Sequence, residues 1–357
     1  METLIQATIG GFISFVFVLI LVPIFKMIAL KINLTDQPGS RKLHSSPIPL
    51  IGGIVIFFSV FFMILVIPIM YSMLMEQFIL YVSSVVLFAI GVLDDKFDVP
   101  AKYKLMIELL IGYTMASAGF RINSLYGFMG IHELPLIIQY VLTMVVTTGV
   151  VNAFNLMDGV DGLVGELSII GFVILIIFSF LTGHYNYIIL YAAFIAATVG
   201  FLRFNLTENK IFMGDAGSLW IGYILINSAI YLMNHHTAVV SAQPFLILIV
   251  AGFFAVPVLD SLRVYLGRLK KGTSPFKADK THLHHLLLLM GFSHKRISII
   301  ISTLSIGIVL FSIVIYHYLP LTAVILVMIA LFCVVGFVLN LNKKLLEWRE
   351  KLRSMEN

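Results

Sequence analysis

The stretch LVGELSIIGFVILIIFSFLT, residues 163–182, holds one ionisable side chain, Glu166, and after it only apolar, glycine and hydroxyl residues. An α-helix needs ~20 such residues to cross a bilayer core, where each backbone N–H and C=O must be satisfied within the segment. Similar runs lie on both sides. They predict further helices over about 4–30, 48–71, 75–93, 104–119, 134–154, 186–202, 219–234, 243–266, 297–317 and 320–340, eleven crossings with this one. The whole chain of 357 residues is 60% hydrophobic and 11% charged, with a mean hydropathy of +1.04. Soluble domains carry about 25% charged residues, so this chain has too little polar surface to cover a water-facing globule. The fold class is therefore all-α: a polytopic integral membrane protein.

Residues 1–340 read as a single membrane domain and 341–357 as a tail. No basic region precedes the first apolar run and no cleavage site follows it, so it reads as a retained helix. The single cysteine, Cys333, lies in an apolar run, leaving no internal disulfide or multi-thiolate metal site. Eleven crossings put the termini on opposite sides. One side then receives Lys31, Arg41, Lys42, Lys96, Lys102, Lys104, Arg203, Lys210, the cluster from Arg263 to Arg296 and the basic tail, and the other only Arg121. That asymmetry marks the basic side as cytoplasmic, with the N-terminus outside. It also accounts for the net charge of +5 without nucleic acid. In the tail, Leu345, Trp348 and Leu352 make an apolar stripe among cations, the pattern of an interfacial helix.

The same alternation sends the clusters of acids and amides to the basic side and leaves only scattered Glu2, Glu76 and Glu133 on the other. LDDKFDVP (93–100) places Asp94, Asp95 and Asp98 at a helix end, where mutually repelling carboxylates suit a divalent cation. Its plain alternative is a hydrated loop balanced by Lys96 and Lys102. NAFNLMDGVDG (152–162) spaces Asn152 from Asn155, and Asp158 from Asp161, by about one helical turn. An ordinary helix end with a turn is the competing reading. IFMGDAGS (211–218) sets Asp215 at a helix start whose backbone N–H groups favour phosphate oxygens. An acid there implies an intervening Mg²⁺ or Mn²⁺, unless it is only an N-cap. In ADKTHLHHLLLLMGFSHKR (278–296), His282, His284 and His285 suggest zinc at first sight. The surrounding lysines favour anion recognition instead, and a solvated positive loop explains the lysines alone.

These four segments, in this order, resemble the polyprenyl-phosphate N-acetylhexosamine-1-phosphate transferase superfamily over nearly the whole chain. The form HLHH and the preceding SPFKAD (274–279) are similar to the branch that transfers GlcNAc-1-phosphate. The short tail and the abundance of Ile, Met and Lys point within it to enzymes that start wall teichoic acid linkage units. The resemblance implies a catalytic membrane domain that takes UDP-GlcNAc and undecaprenyl phosphate and works with Mg²⁺ or Mn²⁺ at the cytoplasmic face of the plasma membrane. It leaves a homodimer open. It implies that Asp215 ligates the metal, with Asn155 and Asp95 close to it. Asp94 and Asp95 would face the lipid phosphate, and Lys104 would contact phosphate. Asn152, Asp158 and Asp161 would line the nucleotide pocket and Phe212 would stack on uracil. His282, His284 and His285 would hold the diphosphate or sugar. The loop RKLHSSPIPLIGG (41–53) would add Arg41, Lys42 and His44 as anion ligands.

The implied reaction exchanges one phosphoanhydride for another, with a nucleophile already ionised at neutral pH. Direct attack is expected, with a phospho-aspartate at Asp158 as the competing route. Two other functions compete: the muramoyl-pentapeptide branch and an ion-coupled transporter. A transporter would carry acids deep within several spans. Glu108, Glu166 and Asp260 are the exceptions in these runs, each toward a cytoplasmic end.

Overall fold

The computed structural model describes residues 1–38, 46–235, 243–274 and 281–356. Thirteen α-helices and two small antiparallel ribbons make up these residues. In chain order they are α1 Glu2–Ile32, β1 Thr35–Asp36, β2 Ile48–Pro49, α2 Gly52–Val66, α3 Pro68–Glu76, α4 Phe78–Phe97, α5 Ala101–Ser117, β3 Ser124–Phe128 and β4 Ile131–Glu133. There follow α6 Leu136–Asn155, α7 Leu163–Leu181, α8 Asn186–Asn205, α9 Gly214–Asn234, α10 Gln243–Lys270, α11 Leu283–Leu289, α12 His294–Ile315 and α13 Leu321–Glu356.

Nine of the described helices are long and apolar enough to cross a membrane, and α2 with α3 makes a tenth candidate broken by a 104° bend. The expected helix over 48–71 is thus two helices. Pro68 cannot continue α2, because its ring disfavours α geometry at Ile67, and it opens α3 at the first position instead. The expected helix over 104–119 is α5, 17 residues long. The expected helix over 219–234 starts five residues earlier, at Gly214, because small residues rather than bulky apolar ones form its first turn.

The bundle is built around α9, 94% of whose apolar window is buried. A helix apolar on every side has no solvent face and belongs in the middle. Helices α2, α4, α6 and α7 pack on it. A Cβ at Gly53 would come within 2.1 Å of the Gly217 nitrogen, so the α2–α9 crossing requires glycine. Beyond it Phe57 stacks on Phe88 with centroids 3.7 Å apart and meets Trp220 at 5.0 Å. Hydroxyls buried in the spans return to the preceding turn, as Ser168 does to Val164 O at 2.5 Å and Ser179 to Leu175 O at 2.8 Å.

A short strap ties the starts of α2 and α9 together. Gly52 N and Gly53 N, unpaired within α2, donate to Phe212 O and Met213 O at 2.8 Å each, and Phe212 N donates to Pro49 O at 2.9 Å. At the opposite end the β3–β4 hairpin is held by Met129 N donating to Thr322 Oγ1 at 2.7 Å. The tail is helical through Glu356, continuous with α13, and exposes Leu345 and Trp348.

Candidate active site

At one end of the bundle a cavity of about 1100 Å³ opens where α4, α6 and α8 finish and α7, α9 and α12 begin. Its lining includes Asp94, Asp95, Asn155, Asp158, Asp161, Phe212, Asp215 and His285. Four sequence segments separated by up to 190 positions therefore meet in one place.

Each acid has a definite setting. Asp94, buried at the end of α4, receives the Val99 N–H on Oδ1 at 2.8 Å and the Lys104 ammonium on Oδ2. The same ammonium lies 3.4 Å from Asp215 Oδ2, so Lys104 bridges α4 and α9. Asp95 takes the Asp215 N–H at 2.8 Å and the Ala216 N–H at 3.1 Å, one on each carboxylate oxygen. It thereby caps α9 from another helix and satisfies two donors that a helix start leaves open. Asp158 lies in the turn between α6 and α7. Burial and the charges of Asp215 and Asp95 push its pKa well above the usual carboxylate range, against a hydrogen bond from the Gly214 N–H.

Asp161 pairs with Lys210 Nζ at 2.7 Å and His294 Nδ1 at 3.2 Å. Burial works against its charge, but the hydrogen bonds from His294 and Lys210 prevail and hold its carboxyl below the usual range. Lys210 also lies 5.2 Å from the Phe212 ring centre, so one wall of the cavity is an aromatic face flanked by a cation and an anion. Lys210 and His294 were not singled out from sequence. Their only signal was charge on the basic side, which positive-inside loops also carry.

The histidines divide. His285 lines the cavity, whereas His282 and His284 are 3% and 2% exposed. Successive helical residues are turned by about 100°, so three histidines within four positions cannot share a face. Fully buried Asp260 anchors the group: it meets His282 Nδ1 at 2.9 Å and Arg263 Nη2 at 2.7 Å, and accepts the Leu283 N–H at 3.2 Å on each oxygen. His284 packs on Gly159, where a Cβ would come within 2.5 Å of Nε2. Burial, with His285 and His282 adjoining, pushes its pKa down to about 3.

Asn152 turns away from the cavity and donates to Glu108 on α5 and to Thr148 O at 3.0 Å. Glu166, like Glu108, is paired between helices, accepting from Ser302 Oγ at 2.9 Å. Arg41, Lys42 and His44 lie outside the described residues. Thr35, Asp36, Gln37, Asn205 and Leu288 complete the wall without having been expected there.

Among the described residues no three His, Cys, Asp or Glu side chains already stand at metal-ligand spacing. The donors that converge are nonetheless hard oxygens, and the Lys104 ammonium is drawn between two of them. Such a set fits a magnesium-like cation and not zinc.

Known proteins resemble this chain over most of its length. The family model described as Glycosyl transferase family 4 matches residues 77–233. An undecaprenyl-phosphate alpha-N-acetylglucosaminyl 1-phosphate transferase of Yersinia pestis is 34% identical over 81% of this chain and 78% of its own length. A Bacillus subtilis protein described as a probable undecaprenyl-phosphate N-acetylglucosaminyl 1-phosphate transferase is 32% identical over 84% of this chain and 82% of its own. The Escherichia coli K12 transferase of the same description as the first is 33% identical over 78% and 75%.

Proposed function

The chain belongs to glycosyl transferase family 4, and from that membership we propose that it transfers GlcNAc-1-phosphate from UDP-GlcNAc to undecaprenyl phosphate and releases UMP. The observation that carries the reading is the convergence of Asp94, Asp158, Asp161 and Asp215 with Lys104 and Lys210 at one mouth of a helical bundle. The basic asymmetry of the sequence supports a cytoplasmic mouth and an outside N-terminus, and an undecaprenyl phosphate acceptor fits a plasma-membrane location. The product would begin a cell-wall polymer such as wall teichoic acid.

In this reaction an oxygen of the lipid phosphate attacks the sugar-bearing phosphorus of the nucleotide, and the bond to the UMP oxygen breaks. A second phosphate pKa of about 6 leaves the nucleophile largely dianionic at neutral pH, so no strong base is required. The main obstacle is repulsion between two anions in a cavity lined with aspartates. A Mg²⁺ ion held by Asp215 and Asn155 would supply charge neutralisation between the phosphates. Lys104, between α4 and α9, would take a phosphate oxygen, and Asp95 keeps the start of α9 in register. The Phe212 face offers the base a stacking surface beside Asp161, whose ionised carboxylate accepts a ring N–H. His285 offers the diphosphate a donor.

Direct attack is favoured over a phospho-aspartate because the lipid phosphate is already an anionic nucleophile and needs no covalent relay. The test is transfer of labelled sugar phosphate in purified membranes, comparing UDP-GlcNAc with the muramoyl-pentapeptide nucleotide and using Asp215→Asn as control. Transfer from UDP-GlcNAc alone, lost in the variant, is expected; transfer from the pentapeptide nucleotide would overturn the assignment. Exchange of labelled UMP into UDP-GlcNAc without a lipid acceptor would overturn direct attack.

A further inference from the structure

Ser218 is completely buried in the second turn of α9, and neither the composition nor the four motifs' acids draw attention to it. Its Oγ lies 3.0 Å from Gly214 O, one helical turn back, and 3.1 Å from Asn155 Nδ2 on α6. A hydroxyl has one proton. In the structure that proton goes to Gly214 O, which only accepts, the arrangement that gives both neighbours of Oγ a hydrogen bond. What remains at Oγ is a lone pair, which can only accept. The Asn155 amide must therefore present its NH₂ to Ser218 and turn its carbonyl oxygen the other way.

Asn155 lines the cavity beside Gly214, Asp158 and Asp215, so the end it shows there is Oδ1. In most structures the two ends of an amide are told apart only by such a network. Here the network runs from the backbone of α9 through one buried hydroxyl.

We propose that Ser218 is a positioning residue that fixes the Asn155 amide, so that its oxygen joins the aspartates as a further donor for a divalent cation. This rests on the cation reading given above. Without the serine the amide is free to rotate, and its NH₂ hydrogen-bonds the nearby carboxylates in place of a cation. Residues that orient ligands through one hydrogen bond typically change metal affinity 10–100-fold when removed.

The test is direct binding of Mn²⁺ to the detergent-purified full chain, followed by electron paramagnetic resonance without substrate. Four proteins are compared: the unaltered chain, Ser218→Ala, Asn155→Asp and the double variant. Thermal unfolding is recorded for each, to exclude simple loss of fold. Ser218→Ala is expected to weaken Mn²⁺ about 10–100-fold. The same change in the Asn155→Asp background is expected to shift affinity less than about 2-fold, because a carboxylate has two acceptors and no wrong orientation, giving strong non-additivity in the cycle. An unchanged affinity in Ser218→Ala, or an equal loss in both backgrounds, would overturn the positioning role while leaving the cation reading intact. Absence of Mn²⁺ binding to the unaltered chain would overturn both.

Discussion

Single side chains in this molecule hold the site by closing hydrogen bonds across helices. Asp260 is the clearest instance, a buried carboxylate shared by Arg263, His282 and the start of α11. Removing one partner of a buried pair costs about 3–5 kcal/mol, and Arg263 retains some solvent contact, so Asp260→Asn should cost about 2–3 kcal/mol. The check is urea or thermal unfolding in detergent, where the loss should appear together with weaker nucleotide binding as His285 loses its support. His284 carries a pH signature. Burial, beside His285, His282, Asp260 and His294, pushes its folded pKa down to about 3 from the usual 6.5. Between these values the unfolded chain binds the proton and the folded chain does not. Stability is therefore complete above pH 6.5 and falls by about 1.4 kcal/mol per unit as pH drops below it. His284→Gln should flatten that slope, read from unfolding midpoints between pH 7 and 5. None of this was legible beforehand: HLHH announces three histidines, but only the turn of α11 and the position of Asp260 decide that one faces the cavity and two face inward.

Among the elements, α9 carries the most information. Its N-terminus gathers the strap, the Asp95 cap and Asp215, and its body fills the bundle axis. Gly53→Ala drives a methyl group into the Gly217 backbone and should cost about 3 kcal/mol or more, since no flexible side chain can yield there. Gly149→Ala on α6, where the added carbon meets nothing within 4 Å, is the control and should be near neutral. Thermal stability of the two purified variants decides it. The spans were largely readable because hydropathy reports burial in lipid directly. The break at Ile67–Pro68 escaped because residues on both sides are apolar, and only the proline betrayed it. The motif put Asp215 at a helix start, but the apolar span of α9 was read five residues late because Gly214, Ala216 and Gly217 lower the local hydropathy while the capping comes from Asp95, 120 positions away in sequence.

For the whole molecule, the one-sided placement of acids was visible in the sequence as soon as the helices were counted. Their convergence was not, because it depends on how α4, α6 and α9 pack. The cavity concentrates negative charge at one end of the bundle, with Lys104 paired to Asp94 and Asp215 and Lys210 to Asp161. Under the proposed reading, EDTA should abolish sugar-phosphate transfer and Mg²⁺ should restore it, measured as labelled product in the lipid phase. Lys104→Ala should lower transfer by about 10²-fold, given the loss of one preorganised electrostatic contact. The same assay at saturating nucleotide reads it.

The bridge from Lys104 to Asp94 and Asp215 gives the resting mouth a tethered counter-ion. Two carboxylates on neighbouring helices share one ammonium on a flexible four-carbon arm. An arriving cation or phosphate must negotiate with that arm before it can settle. Filling the mouth is thus an exchange of neutralising partners rather than the occupation of bare charge.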